Sequence, residues 1–251
     1  ANSVLMPAYG GRWQPVIVTY AALATALGAA FWVVTARPPA SVRDPWTRPS
    51  LQRASLADLM AVPIVRLVLV MAILTFFVNH ALGNWLPEIL RDLGLTPAEA
   101  GFWAAIIAVP GLIAGVVVPR FATADRRRLV LICAYGLLAV ALTPLAWRWG
   151  VAAMIGVLVY GATRSIVLPL AMLFLMDDER VGPANMASAG ALYVTAGEIG
   201  GVSGRVVVGV VADRWGFAPA VGVLSAVAVV LTGLASGLRA SSPVAENVNG
   251  R

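Results

Sequence analysis

Seven long apolar runs, each about as long as the hydrocarbon core of a bilayer is thick, alternate with short polar connections rich in arginine. A helix that crosses that core needs roughly 20 mostly apolar residues at ~1.5 Å each. The runs fall at residues 13–36, 59–86, 97–119, 129–147, 150–176, 183–212 and 215–238, and each is predicted to span the membrane. They are continuous rather than alternating, which disfavours a closed β-barrel. The expected fold class is therefore all-α, a polytopic membrane helix bundle of about seven transmembrane helices.

Composition agrees. Of the residues 60% are hydrophobic and only 12% charged, with a mean hydropathy of +0.85. A water-soluble domain of this length carries far more charge. The net charge of +6 comes from arginines in the connections, and no nucleic-acid motif accompanies it, so nucleic acid is not an expected partner. Cys133 is the only cysteine, which excludes an intramolecular disulfide and a cysteine metal cluster. No cofactor or metal site is expected.

The arginines also set an orientation. Arg37, Arg43, Arg48, Arg53, Arg66, Arg120, Arg126, Arg127, Arg128, Arg180, Arg239 and Arg251 fall on one set of alternating loops, and only Arg12, Arg91, Arg148 and Arg214 on the other. Basic loops stay inside, so the first set is expected to be cytoplasmic in a multi-pass inner (plasma) membrane protein. Trp13, Trp32, Trp85, Trp147, Trp149 and Trp215 lie close to predicted helix ends, where an amphipathic ring prefers the headgroup region. Residues 37–57 read as a cytoplasmic linker and 239–251 as a polar cytoplasmic tail, while 1–11 looks like the end of an interrupted helix.

The segment from Asn79, NHALGNWLPEILRDLGLTPAEAGFWAAI, carries the arrangement Asn84, Trp85, Leu86, Pro87, Leu90, Gly94, Thr96, Ala100 and Gly101. It resembles the seventh helix, outer loop and eighth helix of major facilitator superfamily transporters, in particular the cyanate-permease-like branch. Gly11-Arg12-Trp13 before an apolar run is similar to the start of the family's sixth helix. The resemblance implies a layout of 1–36 as the end of the N-terminal half, 37–57 as the central linker, 58–238 as the C-terminal six-helix bundle and 239–251 as the tail. The rest of the N-terminal half would then be a missing partner and the chain a fragment. The family's G-x-x-x-D-R-x-G-R-R motif should lie between helices eight and nine, but there only Gly115, Arg120, Asp125 and Arg126 to Arg128 stand, and only basic character survives. A cleaner G-x-x-x-D-R-x-G, at Gly209, Asp213, Arg214 and Gly216, falls on the external side by helix counting.

Charges inside a bilayer cost about 2.5–3.5 kcal/mol each on insertion scales, so those that remain are functional candidates. Arg164 and Glu198 fall near the midplane and Arg205 nearer the outer side. Glu198 and Arg205 are seven apart, hence on nearly one face. Arg164 is expected to bind an anionic substrate, and Glu198 to carry a coupling proton or pair with Arg164; the plain alternative is a static ion pair. His80, the only histidine, can hydrogen-bond substrate, titrate near neutral pH, or merely join two helices. Asn79, Asn84 and Tyr160 are further candidate binding residues, with packing as the alternative for Tyr160. Gly197, Gly200, Gly201 and Gly204 give overlapping GxxxG spacings. They read first as close helix packing and second as unwinding around a substrate, so Gly197 and Gly201 are candidate gating positions.

These readings imply a secondary active transporter of a small solute, an organic or inorganic anion, by alternating access, with a proton as possible coupling ion and no enzymatic activity. Gly201-Val202-Ser203-Gly204 also matches the GxSG of rhomboid-like intramembrane serine proteases, although the only histidine precedes the serine. A non-transporting membrane scaffold is the third reading.

Overall fold

The computed structural model describes residues 5–36, 55–178 and 180–238. The chain divides into two compact units, Ala1–Gln52 and Arg53–Arg251. Most of the expected linker and all of the expected tail, with Arg37, Arg43, Arg48, Arg53, Arg239 and Arg251, lie outside the described residues.

The first unit holds α1 (Leu5–Ala8) and α2 (Trp13–Thr35), joined through Gly10 and Gly11 at φ 61° and 78°. The left-handed backbone there is why two glycines stand in the turn. The Tyr9 hydroxyl and Thr19 Oγ1 lie 2.9 Å apart and tie the short helix to the long one. Trp13–Thr35 is one of seven helices, among the described residues, long and apolar enough to cross a membrane.

The second unit contains the other six spans. The short α3 (Leu56–Ala61) opens on a capping box, in which the Ser55 side chain accepts from Asp58 N and Asp58 accepts from Ser55 N. The spans follow as α4 (Pro63–Asp92), α5 (Pro97–Ile106) with α6 (Ala108–Phe121), α7 (Ala124–Ala146), α8 (Gly150–Asp177), α9 (Gly182–Trp215) and α10 (Phe217–Ser236). Among the described residues there are no strands. Two stacked hydrophobic layers fill the interior. One, toward the arginine-rich end, includes Val68, Met71, Tyr135, Leu170, Phe174 and Leu231; the other includes Leu82, Leu86, Leu142, Val157, Val221 and Leu224. Between α4 and α7 the buried Thr75 and Tyr135 hydroxyls lie 2.7 Å apart.

Glycines set which helices touch most closely. Along α9, a Cβ at Gly200 would fall 1.8 Å from the Ile73 carbonyl oxygen and one at Gly204 2.3 Å from that of Phe77. The α4 and α9 backbones therefore meet directly, as small residues permit where no hydrophobic force separates helix from lipid. The α6–α8 seam works the same way, with Gly161 against the Ile107 carbonyl and Gly111 against Gly161 and Ser165.

The observed helix ends differ from the predicted ones for identifiable reasons. The second span begins at Pro63, not at 59, because the residue before a proline is driven from the helical region, and Val62 is extended at ψ 121°. The same helix runs through Pro87 to Asp92, so Asn84 and Trp85 lie inside it and not at its end. The third span is two helices meeting at Ile107. Pro110, with no N–H, cannot donate to the Ile106 carbonyl four residues earlier. Asp125 and Arg126 to Arg128 belong to the opening residues of α7 rather than to a loop. From there Arg127 pairs with Asp177 at the end of α8, and Arg128 donates to the Ser236 carbonyl at the end of α10. Both arginines thereby serve the negative ends of neighbouring helix dipoles.

At that same end Asp178 takes two hydrogen bonds from the Arg180 guanidinium and one from its backbone N–H, which hold its carboxyl below the usual carboxylate range. At the opposite end Arg148, in the left-handed region at φ 60°, donates to Asp92 Oδ2 at 2.6 Å and also to the Asp92 carbonyl. The strained backbone costs roughly 1–2 kcal/mol and turns the guanidinium onto the end of α4.

Candidate functional site: a charged cluster on the α4–α9 seam

The close approach of α4 and α9 brings three candidate residues together. His80 Nδ1 lies 3.8 Å from Glu198 Oε2 and 3.4 Å from an Arg205 terminal nitrogen. The seven-residue spacing of Glu198 and Arg205 thus does place both on the face that meets α4. Gly201 makes room for the imidazole, since a Cβ there would fall 2.3 Å from His80 Nδ1. Gly197 does the same for Phe76, whose ring stacks obliquely on His80 with centroids 5.2 Å apart. Across the full length of the glycine run α9 is an unbroken α-helix, so the glycines serve packing in this conformation and not unwinding.

Backbone groups hold the cluster in place. Arg205 Nε donates to the Gly201 carbonyl at 3.0 Å, and Asn84 Nδ2 to the His80 carbonyl at 2.8 Å. Trp85 donates its indole N–H to the Arg205 carbonyl at 3.0 Å, with its ring against Gly209. The sequence reading gave Trp85 to the membrane interface. Its position before Pro87 resembles a helix end, and no local signal shows that the helix continues.

A second group stands on α8. The buried Tyr160 hydroxyl donates to the Asn79 carbonyl at 3.0 Å, joining α8 to α4 at the residue before His80. Arg164, one turn further along α8, sits 5.7 Å from the Tyr160 ring centroid and is exposed. Its position is roughly 20 Å from either end of α8 at ~1.5 Å per residue. Glu198 is exposed too, at 52% of its side chain, against 31% for His80.

The expected pairing of Arg164 with Glu198 is absent from this conformation. Among the described residues they form no ion pair; Glu198 faces His80, and Arg164 rests on Tyr160. The reason is geometric. The glycine stripe of α9 is turned to α4, which commits Glu198 to that seam, while Arg164 is captured by the aromatic ring one turn below it. The protease arrangement does not form either: Ser203 Oγ donates to the Gly200 carbonyl at 3.0 Å and shares no hydrogen bond with His80. Among the described residues no three His, Cys, Asp or Glu side chains converge in a metal-binding group.

A cleft of about 310 Å³ lies elsewhere, at the end carrying the α4–α5 and α7–α8 connections, lined by Leu93, Leu95, Glu99, Trp103, Arg148 and Met154. The charged cluster itself is partly open, with Glu198 exposed and His80 half-buried. No curated protein matches the chain. Residues 2–204 and 68–250 each match the Major Facilitator Superfamily, and together the two matches reach almost from end to end. The chain belongs to the major facilitator superfamily, whose members are membrane transporters.

Proposed function

We propose that the chain forms part of a secondary active transporter of a small organic or inorganic anion. The observation that carries this reading is Arg164: a permanently charged guanidinium halfway along a membrane-spanning helix, exposed, with an aromatic ring but no carboxylate against it among the described residues. Such a charge is too costly to face lipid, and a solute carboxylate or oxyanion supplies the missing partner. Residues 58–238 act as the C-terminal half-bundle, behind the linker at 37–57 and the helix at 1–36. The substrate binds near the midplane, between this half-bundle and an N-terminal half, and rocking of the halves exposes it alternately. Asn79, Asn84 and Tyr160 border the anion site, and His80, Glu198 and Arg205 couple its occupancy to a proton. The arginine-rich end, including the tail at 239–251, faces the cytoplasm of a cell whose plasma membrane holds the protein. The pattern from Asn84 to Gly101 supports the cyanate-permease-like branch.

Uptake of radiolabelled carboxylates and oxyanions, set against neutral and cationic analogues, in cells expressing the complete gene tests this. Anions should be preferred. Arg164→Lys keeps the charge but loses the planar fork, so apparent affinity should fall about tenfold or more with membrane insertion unchanged. Preference for a cation or neutral solute, or an unchanged KM in Arg164→Lys, would overturn the reading.

A further inference from the structure

We infer that the Nδ1 atom of His80 is a proton-operated latch on Arg205, so that protonation of the imidazole frees the guanidinium to take an anion. This deepens the anion-transport reading and rests on it. The argument starts from one atom with two partners. Arg205 lies 3.4 Å from Nδ1 and, as an arginine, can only donate; Glu198 lies 3.8 Å from the same Nδ1 and, as a carboxylate, can only accept. The two contacts demand opposite states of Nδ1 and exclude each other. When Nδ1 carries no proton, Arg205 donates to it and the neutral ring holds its proton on Nε2. When Nδ1 is protonated it donates to Glu198 and repels Arg205.

We assign this conformation to the first state because the Arg205 contact, at 3.4 Å, is the shorter of the two and the Glu198 contact, at 3.8 Å, is too long for a hydrogen bond. Arg205 does not swing away whole on release. Its Nε stays on the Gly201 carbonyl at 3.0 Å, so the freed terminal nitrogens remain beside His80. The charge balance favours an anion at that moment. With a neutral imidazole the trio sums to zero; the added proton, taken from water, leaves it at +1, and an anion on Arg205 restores neutrality.

Other charged and titratable groups around His80 do not compete for Nδ1. From α9 the Tyr193 ring meets Phe76 edge-on at 5.9 Å, with Phe76 between it and the imidazole. From α8, Tyr160 is bonded to the Asn79 carbonyl and Arg164 rests on Tyr160. α10 carries no titratable side chain, and Glu99 of α5 is held in its capping box with Thr96.

His80 is the only histidine, so protein labelled with ¹⁵N-histidine gives a single imidazole whose tautomer is read directly. With the purified full chain in detergent, the neutral ring should carry its proton on Nε2, and Arg205→Gln should move it toward Nδ1. Acetate, the simplest carboxylate probe, is then titrated at pH 8 and pH 5.5, its binding read by thermal stabilisation. Affinity should be at least about fivefold tighter at the lower pH. The pH dependence should vanish in His80→Asn, whose amide oxygen stands where Nδ1 does and accepts from Arg205 at every pH, and binding should be lost in Arg205→Gln. A proton on Nδ1 in the neutral wild-type ring, or unchanged binding in Arg205→Gln, would overturn the latch. A flat wild-type profile with acetate still lost in Arg164→Gln would sink the latch and leave the anion site standing. No acetate binding at either pH would sink both.

Discussion

Replacing Gly200 by alanine puts the close contact of α4 and α9 to a quantitative test. The added Cβ would lie 1.8 Å from the Ile73 carbonyl oxygen, where real Cβ contacts are almost never shorter than 3.0 Å. The two backbones must therefore part locally by more than 1 Å, in a seam where Gly204 is also held close, at 2.3 Å, against the Phe77 carbonyl. Overpacking costs about 1–3 kcal/mol, and with backbone on both sides the cost belongs near ~3 kcal/mol. For a chain of this size that is a fall of about 6–12 °C in Tm. Gly201→Ala, one residue away, meets the His80 ring rather than backbone, with Nδ1 at 2.3 Å and Cγ at 3.0 Å. The ring can swing aside, so stability should fall by less than about 1.5 kcal/mol while His80 leaves its contacts. Gly222→Ala and Gly233→Ala, with nothing within 4 Å, are controls and should hold or gain stability. Thermal unfolding of the purified protein in detergent, followed by tryptophan fluorescence, separates the three cases. A Gly200→Ala protein that melts with the wild type, or one more stable than Gly201→Ala, would refute the seam.

Three smaller expectations follow from other contacts. Tyr135→Phe leaves the buried Thr75 hydroxyl without its partner and should cost about 1–2 kcal/mol in the same melt; an unchanged Tm would contradict the bond. Asp178, its carboxyl held low by Arg180, contributes stability above the carboxylate's unfolded pKa of about 3.9 and loses it as pH falls through the lower folded value. Asp178→Asn should therefore cost up to about 1 kcal/mol at pH 7, shrinking toward zero below pH 3, and a difference that grows on acidification would reverse the sign. With Cys133 replaced by serine, a lone cysteine in place of Thr123 should react with impermeant thiol reagent only from the cytoplasm and one in place of Ala98 only from outside; the opposite pattern would invert the orientation.

The fold class was legible because crossing a bilayer imposes a length and an apolarity that hydropathy reads directly. Helix ends were less so, since proline acts differently in different surroundings: Pro63 begins a helix, Pro87 is carried inside one, and Pro110 follows a break. Within the site, the shared face was legible from counting, which put Glu198 and Arg205 together on α9. Their partner was not. That His80 meets both, and that Arg164 rests on Tyr160 instead, depends on which residues of α4 oppose the glycines of α9. Each GxxxG spacing permits several such alignments. Trp85 and its bond to the Arg205 carbonyl were hidden for the same reason.

The central claim is that the exposed charges in mid-helix face an aqueous substrate path and not lipid. Single cysteines in place of Arg164 and Glu198, in a Cys133→Ser background, test it through their rate of reaction with a charged, water-soluble thiol reagent in membranes. Val140→Cys, on an exposed apolar face of α7, serves as the lipid-facing control. Thiols react as thiolates, which form in water and not in hydrocarbon. The account predicts that both mid-helix cysteines react at least about a hundredfold faster than Val140→Cys. Cysteines at 164 and 198 as inert as the one at 140 would mean that these side chains face lipid, and the transport site would have to lie elsewhere.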